Sequence, residues 1–159
     1  MNDTKIPIIA VVGPTASGKT SLAISIAKHI GAEVVSCDSM QIYKELCIAS
    51  AKPTPDEMQE VPHHMIDVVS PKENFSVSDY ENMALPIVEE LLSRGKTPII
   101  CGGTGFYINS LLYKTFNYNS STCNFHHSPF YCKIAPLSVR KLRLLSSFAL
   151  QNSRLIIEV

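Results

Sequence analysis

The sequence predicts a three-layer α/β fold, in which helices cover both faces of a parallel sheet, followed by an irregular carboxyl-terminal tail. Two observations support this prediction. Short apolar runs, typical of strands buried in parallel sheets, alternate with segments of helical periodicity. Glycine-rich or polar turns follow three of the predicted strands, at the strand ends where such sheets bind ligands. We therefore expect a folded domain over residues 1–113 and an atypical tail over residues 114–159.

The first predicted elements are a strand, a helix and a second strand. Ile6–Val12 is a continuous apolar run, as expected for a buried strand. Ser21–Ile30 carries apolar residues on one helical face, and Gly31 is suited to end that helix. Glu33–Ser36 is predicted to form a short strand.

The next segments predict a short helix and a third strand. Proline disfavours helix in the residue before it, so residues 52–55 are expected to form a loop. Asp56–Val61 is the predicted short helix, which Pro62 ends. His64–Val69 is predicted to be the third strand.

The clearest helix is predicted at Val77–Ser93, where apolar residues recur with a period close to 3.6. Ser76 and Asp79 form a plausible capping pair at its start, and Gly95 is suited to end it. Pro86 lies inside the pattern and is expected to kink the helix or start a new segment.

The last segments are less regular. Ile99–Cys101 is predicted to be a buried strand and Phe106–Tyr113 a helix. Thr115–Ser128 lacks the periodicity of either element. Val139–Leu150 could form one short basic helix, and Arg154–Val159 a strand.

The octapeptide at residues 13–20 has the P-loop pattern G-x-x-x-x-G-K-[ST], placed between the first strand and the first helix. In such a loop, backbone N–H groups and the positive end of the helix dipole converge on a phosphate. Lys19 adds a cation and Thr20 a hydroxyl ligand for Mg²⁺, whereas a plain turn has no use for either. The fold is therefore expected to be P-loop NTPase-like, with these predicted diphosphate- or nucleotide-binding residues: Gly13, Pro14, Thr15, Ala16, Ser17, Gly18, Lys19 and Thr20.

Polar residues follow the second predicted strand. Asp38 could take a proton from a substrate or hold Mg²⁺ through water. Ser39 and Gln41 carry the donors and acceptors needed to read the edge of a base. The alternative is that Asp38 caps a following helix, and the spacing leaves both interpretations open.

A second glycine-rich turn, Gly102–Gly105, follows the last of the buried strands. It could let the backbone approach a ligand closely, with the Thr104 hydroxyl projecting into the site. Without further context, a tight strand-to-helix turn is the simpler interpretation.

The histidines and cysteines favour structural roles. His63 and His64 would point to opposite faces of a strand, so they cannot easily bind one metal. Four tail residues resemble zinc ligands in type but not in spacing: Cys123, His126, His127 and Cys132. The other cysteines are expected to be small buried hydrophobic residues: Cys37, Cys47 and Cys101.

The composition favours a cytoplasmic protein. The chain has 159 residues, of which 45% are hydrophobic, but no apolar run is long enough to span a membrane. Its amino terminus lacks a signal-peptide layout, and its five cysteines lack disulfide-like spacing. The net charge of zero conceals an asymmetry: residues 1–113 carry −5 and residues 114–159 carry +5. A basic tail of this kind could contact nucleic acid.

Six segments, taken in order, resemble the tRNA dimethylallyltransferases, also called tRNA isopentenyltransferases. They are GPTASGKT at 13–20, DSMQIY at 38–43, AKPT at 51–54, HHMID at 63–67, NFSVSDY at 74–80 and GGTGFY at 102–107. Their order and spacing match the family over about residues 6–113. The resemblance implies transfer of a dimethylallyl group from its diphosphate to the exocyclic amine of the adenosine 3′ of the tRNA anticodon.

The resemblance also implies roles for individual residues. The P-loop would hold the donor diphosphate, with Lys19 and Mg²⁺ neutralising the leaving group. Asp38 would accept or orient a proton of the amine, and Thr104 would line the passage where base and donor meet. The implied catalytic residues are thus Asp38, Thr104 and Lys19, and the implied tRNA contacts are Asp38, Ser39, Met40, Gln41 and Thr104. The implied partners are tRNA and dimethylallyl diphosphate, the implied cofactor is Mg²⁺, and we expect a monomer that does not bind membranes.

The chain departs from the family in three places. Ala49-Ser50 replaces the usual Gly-Thr before Ala51, Pro86 is unexpected, and nothing after about Tyr113 resembles the family. We therefore expect residues 114–159 to be a truncated or frame-shifted end, and the chain to be impaired in tRNA binding. Three alternatives stay open: an adenylate isopentenyltransferase acting on free nucleotides, a small P-loop kinase, or an RNA-binding fragment without activity.

Overall fold

The structure is a computed structural model that describes residues 8–45, 52–117 and 154–159. Its strands are β1 (Ile8–Val12), β2 (Glu33–Ser36), β3 (His63–His64), β4 (Pro98–Gly102) and β5 (Arg154–Glu158). Its helices are α1 (Lys19–Ile30), α2 (Pro55–Glu60), α3 (Val77–Ser93) and α4 (Gly105–Asn117). Among these helices, none is both long and apolar enough to cross a membrane.

The strands form one parallel sheet in the order β3-β2-β4-β1-β5. Strand β4 lies between β1 and β2, with Ile99 opposite Ile9 on one side and Val34 on the other. The carboxyl ends of β1, β2 and β4 are therefore neighbours at one edge of the sheet. The loop that follows each of these strands carries one of the polar or glycine-rich motifs.

Two hydrophobic clusters lie on opposite faces of the sheet, because successive strand residues point to opposite sides. Ile8 and Ala10 belong to the cluster that contains Tyr80 and Val88 of α3 and Leu111 of α4. The other cluster contains residues of α1. It also contains Ile9 and Val11 of β1, and Ile99 and Cys101 of β4. The predicted three-layer arrangement is confirmed.

Most predicted elements are present, with small shifts at their ends. The predicted bounds of β2 and α3 are those observed. Helix α1 begins two residues earlier than expected, and Gly31 ends it with a φ of 68°. Helix α2 spans Pro55–Glu60, one residue earlier than predicted, because Thr54 caps it through a capping box with Glu57.

The third strand is shorter than predicted. His64–Val69 was expected to be extended, but β3 contains only His63 and His64. Met65 and Asp67 have φ values of 62° and 55°, which belong to the left-handed region and cannot occur within a strand. The strand prediction for residues 65–69 is therefore wrong, although Val69 still forms an isolated parallel bridge with Tyr43.

Helix α3 continues through Pro86, so the predicted start of a new segment there is wrong. Proline removes the hydrogen bond that its N–H would donate to the carbonyl of Asn82. Both Pro86 and Asn82 are exposed, so water can satisfy that carbonyl. The predicted capping pair is confirmed, since Ser76 and Asp79 each accept a hydrogen bond from the other's backbone N–H.

The carboxyl-terminal predictions are only partly covered by the described residues. Helix α4 runs to Asn117, four residues beyond the predicted end, so the irregular segment predicted from Thr115 begins inside a helix. The predicted final strand is confirmed as β5, which pairs with β1. The basic helix predicted at Val139–Leu150, Cys47 and the four zinc-like tail residues lie outside the described residues.

Candidate functional site

The loops after β1, β2 and β4 pack backbone against backbone. A Cβ atom on Gly102 would lie 2.3 Å from the carbonyl oxygen of Cys37, so only glycine fits there. The backbone N–H groups of Cys37 and Thr104 donate to Cys101 and Cys37 respectively, at 2.7 and 3.1 Å. The carbonyl oxygen of Gly13 also closely approaches the backbone of Gly103. The glycine-rich turn after β4 therefore fixes the positions of both neighbouring loops.

The P-loop has left-handed backbone angles at two positions, Ala16 with φ 64° and Gly18 with φ 85°. Gly18 is the cap residue of α1, and no side chain caps this end of the helix. The first turn of α1 also contains no acidic residue. Because the first N–H groups of a helix lack intrahelical acceptors, this end of α1 presents donors and a positive partial charge to the loop.

Lys19 is the first residue of α1 and lies close against the P-loop. The residue is only 7% exposed, and its ammonium group donates to the carbonyl oxygen of Pro14 at 3.0 Å. A lysine ammonium has three N–H donors. This contact therefore holds the cation over the loop and leaves capacity for the oxygens of a bound phosphate.

The P-loop, the loop after β2 and the start of α2 enclose a cleft of about 440 Å³. This volume lies within the range of about 300–1,000 Å³ that is typical of small-ligand sites. The cleft is lined by Thr15, Ala16, Gly18, Lys19, Thr20, Ser21, Asp38, Met40, Gln41, Lys52, Pro53 and Glu57. Eight of the predicted site residues are thus brought together. The others do not line the cleft: Gly13, Pro14 and Ser17 belong to the P-loop, Ser39 to the loop after β2, and Thr104 to the turn after β4.

Asp38 organises the loop that faces the P-loop. Its Oδ1 atom accepts hydrogen bonds from the backbone N–H groups of Met40, at 2.9 Å, and Gln41, at 3.4 Å. The chain then forms turns, so the alternative in which Asp38 caps a helix is wrong. Asp38 is instead held at the cleft as a carboxylate with one oxygen bound to its own loop.

Met40 and Gln41 differ in what they can offer a ligand. Met40 is 46% exposed and presents an apolar surface beside the cleft. Gln41 is buried, and its side-chain oxygen accepts a hydrogen bond from the Ser36 hydroxyl at 2.9 Å. Gln41 therefore also fixes its loop to the end of β2.

Thr104 does not line the cleft but connects the turn after β4 to the loop after β2. Its hydroxyl oxygen accepts a hydrogen bond from the Ser39 N–H at 2.9 Å and lies 3.2 Å from the Ser39 hydroxyl. Through this contact the turn after β4 sets the position of the residue that follows Asp38.

Four residues of the cleft were not among the predicted site residues: Ser21, Lys52, Pro53 and Glu57. Lys52 and Pro53 belong to the AKPT segment, which the sequence marked as part of the resemblance but to which it gave no role. A spacing pattern cannot show that this segment, which follows the loop after β2, lines the same cleft as the P-loop.

Other polar groups near the site are mostly held by structural contacts, but Ser17 Oγ and His63 Nε2 are buried without a hydrogen-bond partner among the described residues. Burial raises the pKa of the Cys37 thiol to about 12 and that of Cys101 to about 11, so both thiols stay protonated and act as small core residues. His63 contacts the carbonyl oxygen of Val61, and burial lowers its pKa. His64 contacts the buried carboxylate of Glu33 at 2.9 Å. Within the described part of the chain, no group of three or more potential metal ligands occurs.

Comparison with known proteins identifies close relatives of the chain. It is 57% identical over 108 residues to the tRNA dimethylallyltransferase of Caldanaerobacter subterraneus subsp. tengcongensis, which covers 68% of this chain and 34% of the relative. It is 52% identical over 113 residues to the enzyme of the same name from Bacillus subtilis, covering 71% and 36%. The chain thus spans about a third of the length of the curated relatives it matches.

Solved structures show the same fold. The full-length tRNA isopentenylpyrophosphate transferase of Bacillus halodurans matches 91% of this chain and 43% of its own, with a TM-score of 0.66 and 36% identity. A eukaryotic dimethylallyltransferase, crystallised in a study of its action on tRNA, matches 89% and 32%, with a TM-score of 0.64 and 28% identity. The model of the IPP transferase family matches residues 41–129. More than half of the chain is covered by that match, and the chain belongs to the IPP transferase family.

Proposed function

We propose that the chain carries the donor site of a tRNA dimethylallyltransferase. In the proposed reaction, the exocyclic amine nitrogen of the adenosine 3′ of the anticodon forms a bond to the allylic carbon. The bond between that carbon and the diphosphate oxygen breaks, and diphosphate leaves with its electron pair. The amine loses one proton. The observation that carries this proposal is a single cleft lined by the P-loop, Lys19 and Asp38 in a member of this family.

The donor diphosphate is proposed to bind at the start of α1. The uncapped N–H groups of its first turn and the helix dipole attract an anion, and Lys19 adds a full positive charge. Negative charge grows on the diphosphate as the allylic carbon–oxygen bond stretches. Groups that are already aimed at that charge stabilise the transition state more than the ground state.

Magnesium fits this site as a cofactor held mainly by the substrate. The cleft offers the Thr20 hydroxyl and the Asp38 carboxylate, which are the oxygen ligands that Mg²⁺ prefers. Mg²⁺ commonly binds through one or two protein groups, substrate phosphates and water, so a dedicated cage of carboxylates is not needed. When bound, the ion would neutralise charge on the diphosphate oxygens.

The acceptor adenosine is proposed to enter beside the loop after β2. Asp38 is the proposed proton acceptor for the amine, since its carboxylate lies at the same cleft as Lys19. Met40 offers an exposed apolar surface for the extruded base, with Ser39 beside it. Thr104 is proposed to hold this loop at the right distance through Ser39.

The parts of the chain are proposed to contribute unequally. All six motif segments lie within residues 1–113, so this region is proposed to supply the donor site and the proton acceptor. Residues 114–159 contribute β5 to the sheet and carry a net positive charge, but none of these motifs. We expect this chain to bind diphosphate, to hold tRNA weakly and to turn over slowly.

The test is a calorimetric titration with dimethylallyl diphosphate and Mg²⁺, followed by a transfer assay on the same preparation. We expect binding of dimethylallyl diphosphate and, in the assay, prenyl transfer to tRNA rather than to AMP. Transfer to AMP alone would replace this proposal with an adenylate isopentenyltransferase. Binding of ATP with phosphoryl transfer, and no binding of dimethylallyl diphosphate, would replace it with a kinase.

A further inference from the structure

A second lysine, outside the P-loop, lines the cleft. Lys52 lines the same cleft as Lys19 and Thr20, and its side chain is only 9% exposed. Burial of the aliphatic stem fixes the position of the ammonium group and reduces the entropy lost when it binds a ligand.

Two oxygen atoms hold this ammonium group in place. Lys52 Nζ donates to the carbonyl oxygen of Tyr43 at 2.7 Å and to Oδ1 of Asp67 at 2.5 Å. These contacts use two of the three donors of a lysine ammonium group. Among the described residues the third donor has no acceptor, so it can bind an anion in the cleft.

The backbone around Asp67 holds its carboxylate beside the Lys52 ammonium group. Asp67 has a φ of 55°, a conformation that Asp and Asn adopt more readily than most residues. Its N–H donates to the carbonyl oxygen of Gln41 at 3.1 Å, and Val68 N–H donates to that of Ile42 at 2.9 Å. The loop that ends the HHMID segment is thus bound to the loop after β2, which itself lines the cleft.

The charged side chains of the cleft also favour a role for a second lysine in diphosphate binding. Asp38 and Glu57 contribute carboxylates, while Lys19 and Lys52 contribute ammonium groups. The Glu57 carboxylate is already bound to the N–H and hydroxyl of Thr54. A diphosphate that leaves with more than one negative charge is stabilised more by two cations than by one.

We propose that Lys52 is a second diphosphate-binding residue and that Asp67 positions it. This inference rests on the proposed donor site at the P-loop and adds a second cationic side chain of the same cleft to that site. It also gives one purpose to two motif segments that the sequence left without a role, because Lys52 comes from AKPT and Asp67 from HHMID.

The experiment is a titration of the full chain with inorganic pyrophosphate and Mg²⁺, repeated with dimethylallyl diphosphate. Lys52→Met removes the charge but keeps the stem, and is expected to weaken binding of both ligands about tenfold or more. Lys52→Arg should recover part of the affinity. Lys72→Met removes the same charge from an exposed position that does not line the cleft, and should leave affinity unchanged.

A purely structural ion pair would give a different result. In that case Lys52→Met and Asp67→Asn would lower the melting temperature by similar amounts, and both would keep the affinity of the unmodified chain. That outcome would overturn the inference. We expect instead that Asp67→Asn, which keeps an acceptor for Lys52, stays within about threefold of the unmodified affinity.

Two further readouts keep the test decisive. If Lys52→Met does not fold, acetylation of the lysines of the unmodified chain, read by mass spectrometry, replaces it. Pyrophosphate should then protect Lys52 and Lys19 but not Lys72, and unchanged labelling of Lys52 would contradict the inference. Failure of the unmodified chain to bind either ligand would overturn the donor site itself. If instead Lys19→Ala loses binding while Lys52→Met keeps it, only the role of Lys52 would be overturned.

Discussion

The amino-terminal ends of α1, α2 and α3 differ in whether a side chain accepts hydrogen bonds from their first N–H groups. Each helix begins with N–H groups that lack intrahelical acceptors. In α2 and α3, a capping box satisfies them with Thr54 and Glu57 or with Ser76 and Asp79. In α1, no side chain caps the helix.

The third residue of each helix shows the difference most clearly. It is Glu57 in α2 and Asp79 in α3, but Ser21 in α1. Hydrogen bonds from the Thr54 N–H and hydroxyl hold the pKa of Glu57 below its usual value, and those from the Ser76 hydroxyl and N–H do the same for Asp79. Helices α2 and α3 thus carry their own carboxylate at this position, whereas α1 has none. We infer that α1 gives up local stability for ligand binding.

The largest expected effect comes from removing the cation at the open helix end. Lys19→Ala deletes the ammonium group that lies over the P-loop, and should weaken binding of dimethylallyl diphosphate at least tenfold, because hydrogen bonds to charged groups contribute about 1.5–3 kcal/mol. Calorimetry measures this effect. Lys28→Ala, at the other end of the same helix, is the matched control, and equal losses in the two variants would show that the effect is not local.

A smaller effect should follow from making α1 resemble the other two helices. Ser21→Glu places an acid at the third position, where it should stabilise the helix by about 0.3–1 kcal/mol and weaken diphosphate binding about tenfold through charge repulsion. Thermal melting and calorimetry on one preparation measure the two changes. Ser21→Gln, which has the same size without the charge, should change affinity much less, and an unchanged affinity in Ser21→Glu would argue against an anion site there.

The smallest effect should come from opening a capped helix. Ser76→Ala should lower the melting temperature by about 2–4 °C and leave diphosphate affinity unchanged, since α3 does not line the cleft. The folded pKa of Asp79 is lowered, so its contribution is present above the ordinary carboxyl pKa of about 3.9 and is lost as pH falls through the folded pKa. The difference in melting temperature should therefore shrink below about pH 4. A difference that grows on acidification would contradict the capping role.

The sequence was sufficient wherever local chemistry decides structure. Apolar runs and capping residues predicted β2, α3 and the capping box of Ser76. The P-loop pattern predicted five of the twelve residues that line the cleft, because its spacing directly encodes a turn and a helix start. These features depend on residues that are close in the chain.

The sequence was insufficient where distant segments meet. The left-handed angles of Met65 and Asp67 end β3 early. The N–H of Asp67 then donates to the carbonyl oxygen of Gln41, in the distant loop after β2. The place of Lys52 at the cleft depends on its contacts with Tyr43 and Asp67, which are also distant in the sequence. Thr104 was expected to project into the site, but its hydroxyl contacts Ser39, and no spacing rule predicts that pairing.

Amide chemical shifts test the contrast between the helix ends most directly. We would record ¹H–¹⁵N spectra of the chain while adding dimethylallyl diphosphate with Mg²⁺. We predict that the N–H signals of Gly18, Lys19 and Thr20 move most, while that of Ser78, in the first turn of α3 and away from the cleft, moves little. Saturation of the chain with ligand without movement of the α1 signals would contradict an anion site at this helix end.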